Sequence, residues 1–186
     1  ILPPGRFIAF TEETRLIVEI GAWILKQTCI DLVALQQAGI FKGTVSINIS
    51  GVQIEYSDFL KTLEETLNET QVDPKMLEME VTESFIMHDP ERWITLLKEM
   101  QKLGLSIAID DFGTGYSSLS YLRKLPINKL KVDMSFVKDI PKQDDACAIV
   151  NSIINLAHTM KITTLAEGIE HEEQERYLAE HGCEQG

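Results

Sequence analysis

The sequence predicts an α/β protein built from parallel strands, and three observations carry that prediction. Short β-branched runs alternate with amphipathic helical segments, capping residues mark the joins, and acidic residues recur at the strand ends. Strands that alternate with helices in this way form βαβ units and hence a parallel sheet. The 186 residues are 44% apolar and 25% charged, the composition of a globular chain rather than a disordered one. Against a prior of about 150 residues per domain, residues 1–186 read as one domain.

Each element has a local reason. Apolar residues recur at helical spacing from Thr14 to about Gln37, through Leu16, Ile17, Ile20, Trp23, Ile24 and Ile30, and Gly39 ends that run as a C-terminal glycine does. The run Thr44–Ile49 predicts a strand, followed by a helix over Ser57–Asn68 and a strand over Leu77–Val81. Asp89-Pro90-Glu91 combines an N-cap acid, proline at the first helical position and an acid in the first turn, so it starts a helix that runs to Lys102 and stops at Gly104. Strands are then expected over Leu105–Ile109, Asn128–Val132 and Ile162–Ala166, with helices over Ser117–Arg123, Asp144–Met160 and His171–Glu180. A sixth strand begins at Cys183. A closed eight-stranded barrel needs about 250 residues. Six strands behind a leading helix therefore fit either a barrel without its first two strands and last helix, or an open doubly wound sheet.

Charge and cysteine usage narrow the function classes. The chain carries 29 acidic and 17 basic residues, a formal charge of −12. That field repels phosphate polymers and anionic lipid, so no nucleic-acid polymer and no membrane insertion are expected, although one small phosphate ligand on a local cation is compatible. Cys29, Cys147 and Cys183 are odd in number and lack metal-ligand spacing, which fits a reducing, cytoplasmic setting. Apolar runs are interrupted, as Glu19 interrupts Leu16–Leu25, well short of the ~20 residues a membrane helix needs.

The strand ends carry the chemistry. Asn48, Glu80, Asp110 with Asp111, Lys131 with Asp133, Glu167 and Gln185 stand at or just beyond them. Carboxyl ends of parallel strands converge on one mouth. Two like charges 4 Å apart repel by ~4 kcal/mol at an effective dielectric of 20, so such acids need a cation or a proton. Oxygen-only donors favour Mg²⁺ or Mn²⁺, with Ca²⁺ a competitor, and two adjacent aspartates suit a two-metal site for attack on a phosphodiester. Each acid taken singly is also what a turn or helix cap would use. Lys131, between Leu130 and Val132 in a buried strand, requires a partner. It also raises a rival, a Schiff-base lysine, which neighbouring acids would disfavour by keeping it protonated. The loop Asp110-Asp111-Phe112-Gly113-Thr114-Gly115-Tyr116-Ser117-Ser118 matches neither a P-loop nor GxGxxG and reads as a flap that carries a metal-binding aspartate.

These residues resemble a known family, the EAL domains that hydrolyse cyclic di-GMP. The resemblance rests on PPGRFIAFTEETRLI (Pro3 to Ile17), SINISGVQ (Ser46 to Gln53), EVTES (Glu80 to Ser84), IDDFGTGYSSLSYL (Ile109 to Leu122), LPINKLKVDMSF (Leu125 to Phe136), AEGIE (Ala166 to Glu170) and GCEQG (Gly182 to Gly186). It implies a TIM-like (β/α)₈ barrel, here with about six of its strands, and Mg²⁺- or Mn²⁺-dependent cleavage of cyclic di-GMP to linear pGpG, with Ca²⁺ as an inhibitor. By position, Asn48, Glu80 and Asp110 resemble metal ligands and Asp111 the ligand of a second metal. Lys131 and Glu167 resemble the pair that orients and deprotonates the attacking water. Glu83 resembles the anchor of the Asp111–Ser118 loop. Asp133, Glu170, Gln185, Ser50 and Gln53 fall to the substrate side or outer shell. Arg15 stands where the family has glycine and reads as neutral. The signature Glu-Ala-Leu, with its metal-binding Glu, would lie upstream of Ile1, so the resemblance implies a domain truncated at both ends and an isolated chain without activity. It further implies a homodimeric parent fused to sensor or GGDEF-type domains, a cytoplasmic module that a membrane-anchored sensor can also carry. The alternative is a non-catalytic EAL-like receptor of cyclic di-GMP or a protein-interaction module.

Overall fold

A computed structural model of the chain describes residues 3–115 and 119–186. It forms two compact units: residues up to Glu80 with Lys98–Ser106, and Val81–Leu97 with Ile107–Gly186.

In the first unit, α1 (Ile8–Glu13) precedes α2 (Leu16–Gln37). The predicted helix from Thr14 begins two residues later because Arg15 turns the chain with φ of 62°. Arg15 is therefore not neutral. Left-handed backbone costs a side chain about 1 kcal/mol where glycine would be unstrained. Its guanidinium partly offsets this by lying 3.9 Å from the Tyr56 ring centroid. Strand β1 (Val45–Asn48) leads into α3 (Gly51–Tyr56) and α4 (Phe59–Thr70). The sequence showed only the second of these helices. Strand β2 (Leu77–Thr82) pairs in parallel with β1, Val45 opposite Leu77 and Asn48 opposite Glu80. Leu77, Met79 and Val81 are buried and so are the alternating Glu78 and Glu80, as expected of a parallel strand covered on both faces. Glu78 accepts hydrogen bonds from the hydroxyls of Ser46 at 3.0 Å and Ser106 at 3.2 Å.

The second unit opens with α5 (Glu83–His88), which the periodicity did not reveal. Helix α6 (Pro90–Lys102) starts where predicted, with Asp89 accepting from the Arg92 amide at 3.4 Å. Then come β3 (Ser106–Phe112), α7 (Leu119–Leu122), β4 (Lys129–Val132), α8 (Met134–Val137), α9 (Asp144–Met160), β5 (Thr163–Ala166) and α10 (Glu172–Glu180). The predicted start of the Ser117–Arg123 helix lies at residues 116–118, outside those described. Strand β4 pairs in parallel with β3 on one side and β5 on the other. Helix α9 covers β4 and β5 with Val150, Ile153, Ile154 and Ala157. The expected sixth strand is a single parallel bridge, Leu165 with Gln185. Among the described residues, five strands and this bridge thus stand where six were expected. No described helix is long and apolar enough to cross a membrane.

Candidate active site

In the first unit Asn48 ends β1 and stands opposite Glu80, two residues before the end of β2. Asn48 is exposed and Glu80 is buried. The Ile49 amide donates to the Glu80 carbonyl at 2.9 Å, which extends the pairing one residue past β1. Ser50 and Gln53 cap α3 reciprocally: the Ser50 hydroxyl accepts from the Val52 amide at 3.1 Å, and the Gln53 carbonyl oxygen accepts from the Ser50 amide at 3.0 Å. Ser50 also donates to Glu12 at 2.6 Å, so both residues are engaged in holding the turn after Asn48.

In the second unit the geometry turns on an irregularity in β3. Ile109 stands opposite Leu130 and Phe112 opposite Val132, so Asp110 and Asp111 together face the single position of Lys131. This is a β-bulge. In a regular strand adjacent side chains point to opposite faces. Here the extra residue, with Asp111 at φ of 54°, brings both carboxylates toward one point. Asp110, Asp111 and Glu167 each place an oxygen within 4.8 Å of the others. Lys131, 6% exposed, sits among them with its Nζ 3.0 Å from Asp110 and 2.7 Å from Glu167. Two carboxylates answer the demand of a buried ammonium, and its charge in turn moderates their repulsion.

One cation does not balance three acids. Burial first, and then the negative charges of Asp110 and Asp133, push the Asp111 carboxyl up. Burial also raises Asp133, but hydrogen bonds from Ser135 outweigh it, and a hydrogen bond from Asp111 adds to them, so Asp133 stays below the usual carboxylate range. Asp133 also caps α8, accepting from the Ser135 amide at 3.0 Å. Among the described residues the cluster contains no Cys or His, and an excess of oxygen donors in one place is what Mg²⁺ or Mn²⁺ requires. The residues fit such an ion.

The flanking residues are fixed from outside this cluster. Glu83, 1% exposed at the start of α5, accepts from the Gly113 amide at 2.9 Å. The loop returns so closely that a Cβ on Gly115 would stand 3.2 Å from the Glu83 carboxylate. Glu167 follows β5, its amide donating to the Val132 carbonyl at 3.1 Å. Glu170 is exposed, and its amide donates to the buried Gln174 at 2.8 Å. Gln185 is exposed and held through its backbone, donating to the Thr164 carbonyl and accepting from the Ala166 amide. Beside it Glu184 accepts from both the amide and the hydroxyl of Thr164. Sequence reasoning passed over Gln174 and Glu184. Position three after the His171 cap signalled the first, and nothing in the pattern signalled the second.

A match to the EAL domain family runs over residues 1–186. The chain belongs to the EAL domain family. Its relatives include the signaling protein YkoW of Bacillus subtilis, 42% identical over 98% of this chain and 23% of the relative. MucR of Pseudomonas aeruginosa, named a bifunctional diguanylate cyclase/cyclic di-GMP phosphodiesterase, is 36% identical over 98% of this chain and 27% of its own length. The chain thus spans about a quarter of the curated relatives it matches. Among solved structures, the PaMucR phosphodiesterase in complex with c-di-GMP superposes with a TM-score of 0.94 at 36% identity, covering 98% of this EAL domain chain and 74% of that one. The EAL enzyme Bd1971 with cAMP and cyclic di-GMP bound gives a TM-score of 0.90 at 38% identity, covering 98% and 50%. The fold is accordingly of the TIM-like barrel class of EAL domains, as the family resemblance implied.

Proposed function

We propose that this EAL domain hydrolyses cyclic di-GMP to linear pGpG with Mg²⁺ or Mn²⁺, two ions being the expected complement. The observation that carries the proposal is the buried Lys131 held between Asp110 and Glu167 beside a carboxylate pushed toward its protonated form. Two relatives named cyclic di-GMP phosphodiesterase, NbdA of Pseudomonas aeruginosa at 38% identity and PdeR of Escherichia coli at 32%, support the substrate and the cleavage.

Asp110 and Asp111 would hold the metal, and the ion when bound would supply Lewis acidity toward the phosphodiester. Glu167 takes the proton of the attacking water. Lys131, 2.7 Å away, orients that carboxylate. Glu83 fixes the base of the loop after Asp111. Asp133, Glu170, Gln185, Ser50 and Gln53 serve as substrate-side or outer residues. Asn48 and Glu80 are proposed as metal ligands on the sequence resemblance alone. The same reading carries a homodimer, attached sensor or GGDEF-type domains, Ca²⁺ inhibition and a cytoplasmic site of action.

In the full-length protein with Mn²⁺, cyclic di-GMP is expected to yield pGpG. Glu167→Gln should lower kcat by roughly 10²–10⁴, the range of general acid–base catalysis, with little change in KM. Wild-type binding without cleavage would favour the receptor reading, and a Glu167→Gln enzyme of normal kcat would remove the proposed base.

A further inference from the structure

Gln174 is a polar side chain on the first turn of α10, 2% exposed, yet none of the chemistry above uses it. Its Oε1 accepts from two consecutive amides, Glu170 at 2.8 Å and His171 at 2.9 Å. Its Nε2 donates to the carbonyl of Val137, the last residue of α8, at 3.0 Å. One amide group therefore joins the segment after Glu167 to the segment after Asp133.

A second contact joins the same two segments. Gly168 has φ of 73°, and a Cβ there would lie 2.7 Å from the Met134 Cβ, so its backbone rests directly on the first turn of α8. Upstream, the Glu167 amide is tied to Val132 of β4. The stretch Glu167–His171 is thus pinned at its start to β4, at Gly168 to Met134, and at its end through Gln174 to α8. Among the described residues the ion-pair partner of the Glu167 carboxylate is Lys131 at 2.7 Å, and Glu167 is itself a third exposed. Its direction then depends also on the backbone that carries it, and Gln174 is one of the three pins that hold that backbone.

We infer that Gln174 is a positioning residue for Glu167, holding the proposed base by locking the β5–α10 segment onto α8; this rests on the phosphodiesterase reading. A residue merely required for folding would alter stability without separating kcat from KM. A positioning residue alters the chemical step while substrate binding persists.

The test uses the full-length protein with Mn²⁺ and cyclic di-GMP, comparing Gln174→Met with Gln174→Glu. Gln174→Met removes all three hydrogen bonds and is expected to lower kcat at least tenfold, with KM within about threefold of wild type. Gln174→Glu keeps an acceptor for the Glu170 and His171 amides, and with it the start of α10, but places an oxygen against the Val137 carbonyl. It is expected to melt below wild type, because an oxygen facing a carbonyl is buried without a partner, and still to lose kcat severalfold when assayed well below its own Tm. An active wild type together with a Gln174→Glu enzyme of unchanged kcat overturns the inference alone. So does a loss confined to KM. A wild type without turnover overturns the phosphodiesterase reading and this inference with it.

Discussion

Replacing Lys131 with methionine removes the charge from the centre of the acid cluster while nearly preserving volume. Asp110, Asp111 and Glu167 then face one another within 4.8 Å, where each ionised pair repels by about 3.5 kcal/mol at an effective dielectric of 20. Breaking a buried ion pair by removing one partner costs roughly 3–5 kcal/mol. Glu167 is 34% exposed, so solvent screens its share and the lower end, about 3 kcal/mol, is the expected loss. For a chain of this size that corresponds to a fall in Tm of about 6–12 °C. The assay is a thermal melt at neutral pH with chelator, repeated with added Mn²⁺. Because a divalent ion can take over the missing ammonium's role, the Mn²⁺ gain should be larger in the variant than in wild type. A Tm in chelator within about 2 °C of wild type would show that Lys131 does not hold the cluster together. An equal Mn²⁺ gain in both proteins would show that the ion and the ammonium do not answer the same charge.

Asp111→Asn should act in the opposite sense. A carboxyl whose folded pKa is raised loses stability as pH climbs through its ordinary 3.8 to the raised value, so at neutral pH the ionised Asp111 is a burden that asparagine lifts. Expected in melts are a higher Tm in chelator and a smaller Mn²⁺ gain; a lower Tm in chelator would contradict the charge argument. Glu184 has the reverse sign: burial raises its carboxyl, but the hydrogen bonds from Thr164 and the nearby His158 bring it below its ordinary 4.5. Its contribution is present above that value and is lost as pH falls through the lower folded one. The Tm difference between wild type and Glu184→Gln should therefore be constant near neutrality and close in acid, and a difference that grew on acidification would refute it.

Long periodic segments were legible because several turns repeat the same pattern. Helix α9 occupies Asp144–Met160 as predicted, and α6 starts at Pro90. The short helices α3, α5 and α8, four to six residues each, contain too few turns to show a period. Two of them did leave local marks, Ser50 three before Gln53 and Asp133 two before Ser135, and both pairs form cap hydrogen bonds. The acids at the strand ends were visible as positions, and so was the need of Lys131 for a partner. What the sequence could not show was which acids meet it. That depends on the bulge, and alternation is the very signal a bulge breaks. Gln174 was hidden for a different reason: a glutamine on the first turn of an acidic helix looks solvated until the carbonyl of Val137 arrives from elsewhere in the chain.

The two-for-one mismatch in β3 also bears on how such a site changes over generations. With one residue instead of two between Ile109 and Phe112, the ladder opposite Leu130 and Val132 would be that of an unbroken strand. A one-codon insertion or deletion thus separates a strand presenting a pair of aspartates from a strand presenting one. Both apolar side chains that flank the change would keep their partners and their burial. The step from a two-carboxylate centre to a one-carboxylate centre is therefore short in genetic distance and leaves the hydrophobic interior unasked, so the number of charges this edge presents can drift independently of the scaffold that presents them.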